Sequence, residues 1–226
     1  YVHAVQNRDI TDMLIDHSLT AIAWEDMNKG GRHVFWRNNE LAGEAAIMHA
    51  FSLYGTLPYD CKVAVIGGGN AAHGASRILA SLGAEIEVYN RGTDKLLREE
   101  ICNYDVIVNA VLWDTKRTDH LIYESDLKRM KQNAMIVDIS CDLAGAIETS
   151  IPTPISDPVY MKDGILHYVV DHTPSLTFLT ATKVFGEVIL KYLDLLIEDK
   201  AGKNMTLRKA TVIKNGLIID QRINEF

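Results

Sequence analysis

The run Lys62-Val63-Ala64-Val65-Ile66, followed at once by Gly67-Gly68-Gly69-Asn70-Ala71-Ala72, constrains this chain more than any other feature. A short apolar run bounded by glycine reads as a buried strand. The pattern G-x-G-x-x-A at Gly67, Gly69 and Ala72 then opens a helix. Gly67 permits a tight turn, Gly69 lets the backbone approach a bound group, and Ala72 is small enough for the helix to lie against the strand. A second strand, Glu85–Tyr89, follows the helix. In that context the pattern marks a pyrophosphate site, with the free amides and positive dipole end of the helix from Asn70 aimed at the phosphates. Gly67, Gly69, Asn70, Ala71 and Ala72 are therefore expected to bind a dinucleotide. A glycine turn in an α/β fold that binds no nucleotide is the competing reading, because a fold alone does not establish a function.

The tip of the second strand indicates which dinucleotide. Sites selective for NAD place an acidic residue there, about 20 residues on, to accept hydrogen bonds from the ribose. This chain has Tyr89-Asn90-Arg91-Gly92-Thr93 instead. Asn90 removes the carboxylate that would repel a 2′-phosphate, and the Arg91 guanidinium can pair with that phosphate. NADP (as NADPH) is expected over NAD, with a solvated loop arginine as the bland reading of Arg91.

From Lys62 onward strands and helices alternate, the signature of a parallel sheet. Strands are expected at 62–66, 85–89, 106–111, 134–138 and 166–170, and helices at 71–82, 94–101 and 125–130. Asn39 reads as the cap of a helix over 40–51. A long amphipathic helix is expected over 176–197, and Asn215-Gly216 between apolar runs signals a hairpin. In residues 1–36 two short strands are expected around a helix, with a turn at Lys29-Gly30-Gly31. Tyr1–Val5 already reads as a buried strand, so the chain is expected to be a fragment that has lost something upstream.

Composition removes several function classes. A net charge of −7 over 226 residues argues against a nucleic-acid surface. No stretch approaches about 18 consecutive apolar residues, so no membrane span is expected, and no signal peptide is read. Cys61, Cys102 and Cys141 lack metal-ligand spacing and suit a reducing, cytoplasmic setting. No metal is expected.

Of the eight histidines, His17, His33, His49, His73, His120 and His167 read as surface or packed side chains. His3 differs, because it lies where an apolar strand gives way to Gln6-Asn7-Arg8, and strand ends are where α/β enzymes keep catalytic groups. Asp138 and Asp142 flank Ile139-Ser140-Cys141 just past an apolar strand. One is expected to hydrogen-bond backbone and the other to face the crevice at the strand's carboxyl end. Glu148 reads as structural.

Several segments resemble the alanine dehydrogenase and transhydrogenase superfamily: 109–112, 136–142, 145–150, 158–160 and Asn38-Asn39-Glu40-Leu41-Ala42-Gly43. Val169-Val170-Asp171-His172-Thr173-Pro174-Ser175-Leu176 and the Tyr-Asn-Arg loop look closer to its N5-(carboxyethyl)ornithine synthase branch, which uses NADPH. The resemblance implies a Rossmann-type dinucleotide domain, 39–175, inserted into a discontinuous α/β catalytic domain made of 1–38 and 176–226. It implies that His3 is the acid/base, that Asp142 lies beside nicotinamide and substrate, and that Asn39, Val111, Leu112, Ile139, Val170 and His172 line the cofactor site. The resemblance also implies that the arginine and lysine that bind the keto-acid carboxylate in this family lie upstream of Tyr1.

The implied chemistry is reductive condensation of pyruvate with the side-chain amine of ornithine or lysine, in a homo-oligomer. Alanine dehydrogenase, with ammonium and NADH, is the first alternative. A saccharopine-type dehydrogenase with another keto acid and a dinucleotide-binding subunit without turnover are the others.

Overall fold

The computed structural model describes every residue except Tyr1, His3, Val5, Gln6, Arg91, Thr115, Lys116 and Phe226, with backbone alone for Asp94 and Glu225. Most of the strand expected over residues 1–5, together with His3 and Arg91, lies outside the described residues. In chain order the elements are α1 (Arg8–Asp16), β1 (Ala21–Ile22), β2 (Asn28–Lys29), β3 (Arg32–His33), α2 (Trp36–Tyr54), β4 (Lys62–Ile66), α3 (Asn70–Ser81), β5 (Glu85–Tyr89), α4 (Asp94–Glu100), β6 (Val106–Asn109), α5 (Glu124–Leu127), β7 (Met135–Asp138), β8 (Val159–Lys162), β9 (Ile165–Tyr168), α6 (Phe178–Ile197), α7 (Met205–Ala210), β10 (Thr211–Lys214) and β11 (Leu217–Ile218). They form two compact units, one of Tyr1–Trp36 with Thr182–Phe226 and one of Arg37–Ala181.

The second unit is an α/β sandwich around a six-stranded sheet of order β5-β4-β6-β7-β9-β8. All neighbours are parallel except β8, which runs antiparallel at the edge beside β9. A strand's side chains alternate between faces, so a sheet covered on both sides needs apolar residues at every position. The sequence supplies them. Val63, Val65, Val106, Val108, Met135 and Val137 point to one face, where Ala46, Ile47 and Ala50 of α2 and Ala72, Ala75 and Leu79 of α3 cover them. Ala64, Ile66, Ile107 and Ile136 point to the other, against Leu97, Tyr104, Ile122 and Leu127.

Helix α2 begins at Trp36, so Asn39 is not its cap but lies within its first turn. Charge and stacking extend the helix toward its N-terminus. The Arg37 guanidinium donates to Glu44 through both terminal nitrogens and to Glu40 at 3.0 Å, and Arg32 stacks 3.9 Å over the Trp36 ring. Arg77 of α3 joins the same two carboxylates. At the α2–α3 crossing, a side chain on Gly43 would collide with the Ala71 carbonyl oxygen and one on Gly74 with the Glu40 carbonyl oxygen.

Three further elements depart from expectation. The strand expected through Val111 ends at Asn109, whose Oδ1 accepts the Val111 amide and turns the chain away. The helix expected at 125–130 is a single turn, Glu124–Leu127, whose Glu124 amide is held by Glu148. Strand β8 was not anticipated. It forms a hairpin with β9 through Asp163-Gly164, both at positive φ (50° and 79°), the backbone a tight two-residue turn demands.

In the first unit β10 pairs antiparallel with both β1 and β11, and Asn215-Gly216 makes the expected hairpin turn. Ala21, Ala23, Val212, Ile213 and Ile223 form one small core. Trp24, Phe35 and Phe185 stack within a second, with centroids 5.1–5.7 Å apart.

Candidate functional site

Strand β4 is flanked by β5 on one side and by β6 on the other, so the connections leaving them diverge at the carboxyl ends of β4 and β6. Open α/β sheets bind ligands in the crevice at such a switch point. Gly67 sits in this crevice with φ 119°, and a Cβ there would come within 2.9 Å of the Ala110 carbonyl oxygen. Its amide donates to the Tyr89 carbonyl at 2.8 Å, tying the loop to the tip of β5. Folding therefore requires glycine at 67.

Gly69 is different. Its φ of −86° suits any residue, and a Cβ there would meet nothing within 4 Å among the described residues. It is the N-cap of α3, and among the described residues no side chain caps that helix end. The opening amides of the twelve-residue helix are left as donors for something outside the chain.

At the tip of β5 the Asn90 amide donates to Thr93 Oγ1 at 2.9 Å, and the Thr93 hydroxyl donates to the Asn90 carbonyl at 2.8 Å. Asn90 Oδ1 lies 3.0 Å from the position a Gly68 Cβ would take, so this side chain overhangs the glycine loop. No carboxylate follows Tyr89 until Asp94.

The two aspartates after β7 have separate jobs. Asp138 is fully buried and saturated: its Oδ1 accepts from Asn109 Nδ2 (2.8 Å) and from the Ser140 and Cys141 amides, and its Oδ2 accepts from Ser150 Oγ (2.5 Å). Burial still pushes its carboxyl above the usual range. Asp142 is half-buried, and burial together with the Asp138 charge pushes its carboxyl up to about 6. A carboxyl poised there can hold or release a proton near neutrality. Gly145 lets the loop close on it, since a Cβ there would lie 2.5 Å from Asp142 Cβ.

Hydrogen bonds lace the strand ends together. The Ile139 amide donates to the Asn109 carbonyl (2.8 Å), and Ser140 Oγ donates to the Val111 carbonyl (2.6 Å). Thr173 Oγ1 donates to the Ala42 carbonyl on α2 (3.0 Å). These bonds bring Val111 and Ile139 together beside Gly67, and anchor the segment Val170–Thr173 to the helix that carries Asn39. Leu112 is 94% exposed beside them, whereas Val170 is only 1% exposed and belongs to the core beneath. His172 is exposed, in a left-handed conformation (φ 59°, ψ 32°).

Residues 89–223, more than half of the chain, match the family model described as alanine dehydrogenase/PNT, C-terminal domain. The chain belongs to this family. N(5)-(carboxyethyl)ornithine synthase of Clostridium botulinum is 34% identical over a segment covering 69% of this chain and 49% of its own length. The Lactococcus lactis protein of the same name is 31% identical over 69% and 50%. Alanine dehydrogenase 1 of Staphylococcus aureus is 26% identical over 98% and 71%. The chain spans about half the length of the first two of these curated relatives. Among solved structures, an L-alanine dehydrogenase matches with a TM-score of 0.86 at 22% identity, covering 100% of this chain and 73% of that one. A transhydrogenase from Sinorhizobium meliloti matches at 0.78 and 17%, covering 94% and 72%. Both are likenesses of fold. The stretch matched to the family begins at the tip of β5 and contains Ile139, Asp142, Val170 and His172, while the glycine loop precedes it.

Sequence reasoning passed over two features of this family member. Asn38 is 8% exposed, and its buried Oδ1 has no partner among the described residues. An unmet buried acceptor costs about 1–3 kcal/mol, and beside Asn39 it suits a ligand donor. Asp171 holds His172 with both carboxylate oxygens. Its signal was present, an acid directly before a histidine, but only the histidine was singled out. Among the described residues no group of His, Cys, Asp and Glu is arranged to hold a metal ion, and no helix is long and apolar enough to cross a membrane.

Proposed function

We propose that this chain is part of an NADPH-dependent oxidoreductase that condenses pyruvate reductively with the side-chain amine of ornithine, or of lysine, to give an N-(1-carboxyethyl) amino acid. The observation that carries the nucleotide half of this reading is Gly69. Neither its backbone angles nor its surroundings call for glycine, so the empty space at its Cα is explained by a group that comes against it.

The residues present fit a phosphorylated dinucleotide. The amides of 67–72 and the α3 terminus receive the diphosphate. Asn90 offers no negative charge to a 2′-phosphate, and Arg91 pairs with it. Asn39, Val111, Leu112 and Ile139 line the remainder of the site. When bound, NADPH supplies hydride to the carbon that was the pyruvate ketone. The chain's own groups manage protons and charge. His3 carries the acid/base role on the strength of the family resemblance, protonating the hydroxyl that leaves the carbinolamine and removing the proton from the carbinolamine nitrogen. Asp142 stabilises the positive charge that develops on nitrogen as water departs.

The relatives named N(5)-(carboxyethyl)ornithine synthase are more similar in sequence, at 31–34%, than those named alanine dehydrogenase, at 26–28%. The second reading, alanine dehydrogenase, is favoured by coverage, because those relatives align over 85–98% of the chain. One assay separates them: full-length protein should oxidise NADPH with pyruvate and ornithine, rather than NADH with pyruvate and ammonium. Arg91→Ala should weaken NADPH far more than NADH, and equal weakening would remove the 2′-phosphate contact. His3→Ala should abolish turnover and spare NADPH binding.

A further inference from the structure

The reaction proposed above needs something that neither His3 nor Asp142 has been assigned. A side-chain amine arrives in water as an ammonium ion, with no lone pair to form the C–N bond. A base must first take one proton from nitrogen.

The end of β9 carries a group shaped for that step. Asp171 Oδ1 accepts the His172 backbone amide at 2.7 Å, and Oδ2 lies 2.7 Å from His172 Nδ1. The left-handed backbone at His172 folds the ring back over the preceding carboxylate. With Nδ1–H donated to Asp171, the ring presents Nε2 as its acceptor, and the His172 side chain is 82% exposed. A base oriented by a carboxylate is the recurrent arrangement for abstracting a proton in enzyme sites. The dyad and the loop that carries Asp142 follow neighbouring strands. Strands β7 and β9 are paired in register, Val137 opposite Tyr168, so the residues leaving β9 emerge next to those leaving β7. Charges on both Asp171 and Asp142 are felt at the Cys141 thiol, which together with burial and Asp138 they push upward. Two carboxylates around one spot make a rim that attracts a cation.

We infer that His172, oriented by Asp171, is the base that takes the proton from the ammonium group of the amine substrate, an inference that rests on the reductive condensation proposed above. The proton passes from the ammonium nitrogen to Nε2 and then to solvent. The freed lone pair forms the C–N bond to the ketone carbon while the carbonyl π electrons move to oxygen. Asp171 is the positioning residue, fixing the ring and offsetting the charge it acquires. Pyruvate, an anion, gains nothing from this rim, so the dyad faces the amine substrate.

The test uses the full-length protein, NADPH, pyruvate and ornithine. His172→Gly is the informative variant, because glycine adopts a φ of 59° without strain and leaves room for free imidazole. It should lose about 100-fold or more in kcat/KM for ornithine, within the range of a single acid/base group, while the Kd for NADPH, read by fluorescence, stays within about twofold. Added imidazole should restore turnover at least tenfold. Asp171→Asn should lower kcat at unchanged NADPH Kd and gain nothing from imidazole. Parallel loss of NADPH affinity and turnover would make His172 a cofactor contact and overturn the inference. Loss without imidazole rescue, or no loss at all, would also overturn it. If the unaltered protein oxidises no NADPH with any amine, the reductive-condensation reading itself fails, and the two failures are told apart.

Discussion

Replacing Gly74 by alanine tests whether the contact between α2 and α3 holds the glycine-loop end of α3 in place. In a helix interior alanine is intrinsically better than glycine by roughly 0.5–1 kcal/mol, so propensity alone predicts a more stable protein. The structure predicts the reverse. The Gly74 Cβ would enter the space of the Glu40 carbonyl oxygen, and the reciprocal contact, Gly43 against the Ala71 carbonyl and the Ala75 amide, leaves the helices no room to slide. The obstructing atoms are backbone, so relief requires the helices to part. Overpacking of this kind costs about 1–3 kcal/mol or more, which leaves a net loss of about 1–2 kcal/mol after the propensity gain. At roughly 4 °C per kcal/mol for a unit of this size, the melting temperature should fall by about 4–8 °C. Gly186→Ala is the control. Gly186 lies within α6 and a Cβ there meets nothing within 4 Å, so the propensity gain should survive and raise stability by about 0.5–1 kcal/mol. Scanning calorimetry of both variants reads the transitions, and NADPH titration below them should show weaker binding for Gly74→Ala alone. A Gly74→Ala protein as stable as the unaltered one would refute the packing argument.

Gly69→Ala should leave the melting temperature of the ligand-free protein unchanged and raise the NADPH Kd at least tenfold by fluorescence titration, because its Cβ is free of contacts among the described residues but would face the proposed phosphate site. Asp142→Asn should slow turnover yet stabilise the fold at pH 8. The Asp142 carboxyl titrates at about 6 when folded and near 3.9 when unfolded, so its contribution is present in full below about 4 and lost as pH rises through 6; the gain in denaturation midpoint should vanish toward pH 4. His167 is buried, donates Nδ1–H to the Ile165 carbonyl and accepts the Thr149 hydroxyl, and its proton affinity is lowered chiefly by burial. Stability it confers should be intact above about 6.5 and fall below that as the unfolded chain takes a proton the folded ring resists. His167→Phe should flatten this acid-side loss, measured as the denaturation midpoint between pH 7.5 and 5; an unchanged slope would refute it.

What was legible in the sequence was whatever local chemistry decides. Lys62–Ile66 and the glycines after it could be placed because β-branched runs and glycine turns need no partner to be recognised, and 85–89 matched residue for residue for the same reason. The edge strand β8 escaped because Val159-Tyr160-Met161-Lys162 is short and mixed, and gains its pairing from β9; the Asp163-Gly164 turn was the signal that would have found it. The start of α2 escaped because its extension depends on Arg37 reaching Glu44 seven residues on and on Arg77 from another helix, neither of which a capping rule anticipates. In the site, the glycine loop and both aspartates could be named from spacing. The adjacency of Asp171 and His172 was legible too, but not their pairing, which depends on a left-handed backbone at a residue other than glycine.

That same backbone signature gives Asp142 a second, independent mark. Asn and Asp tolerate positive φ, which accounts for Asn133, Asp163, Asp199 and Asn215. Cys141 and Ala144, like Ser18 elsewhere, have no such excuse, and both lie in the one loop that carries Asp142. Left-handed backbone at such residues costs about 1–2 kcal/mol each and persists only where the surroundings over-determine it. Here the Cys141 amide and thiol are both bound to Asp138, and the Ala144 amide is bound to the Ser150 carbonyl. Ser150 in turn donates to the same Asp138 carboxylate. The buried aspartate therefore acts as the peg around which a strained loop is wound, and Asp142 is what the winding presents. A fold that needed only to close this connection would relax it; the strain is intelligible when the position of one half-buried carboxyl matters more than the stability of the loop.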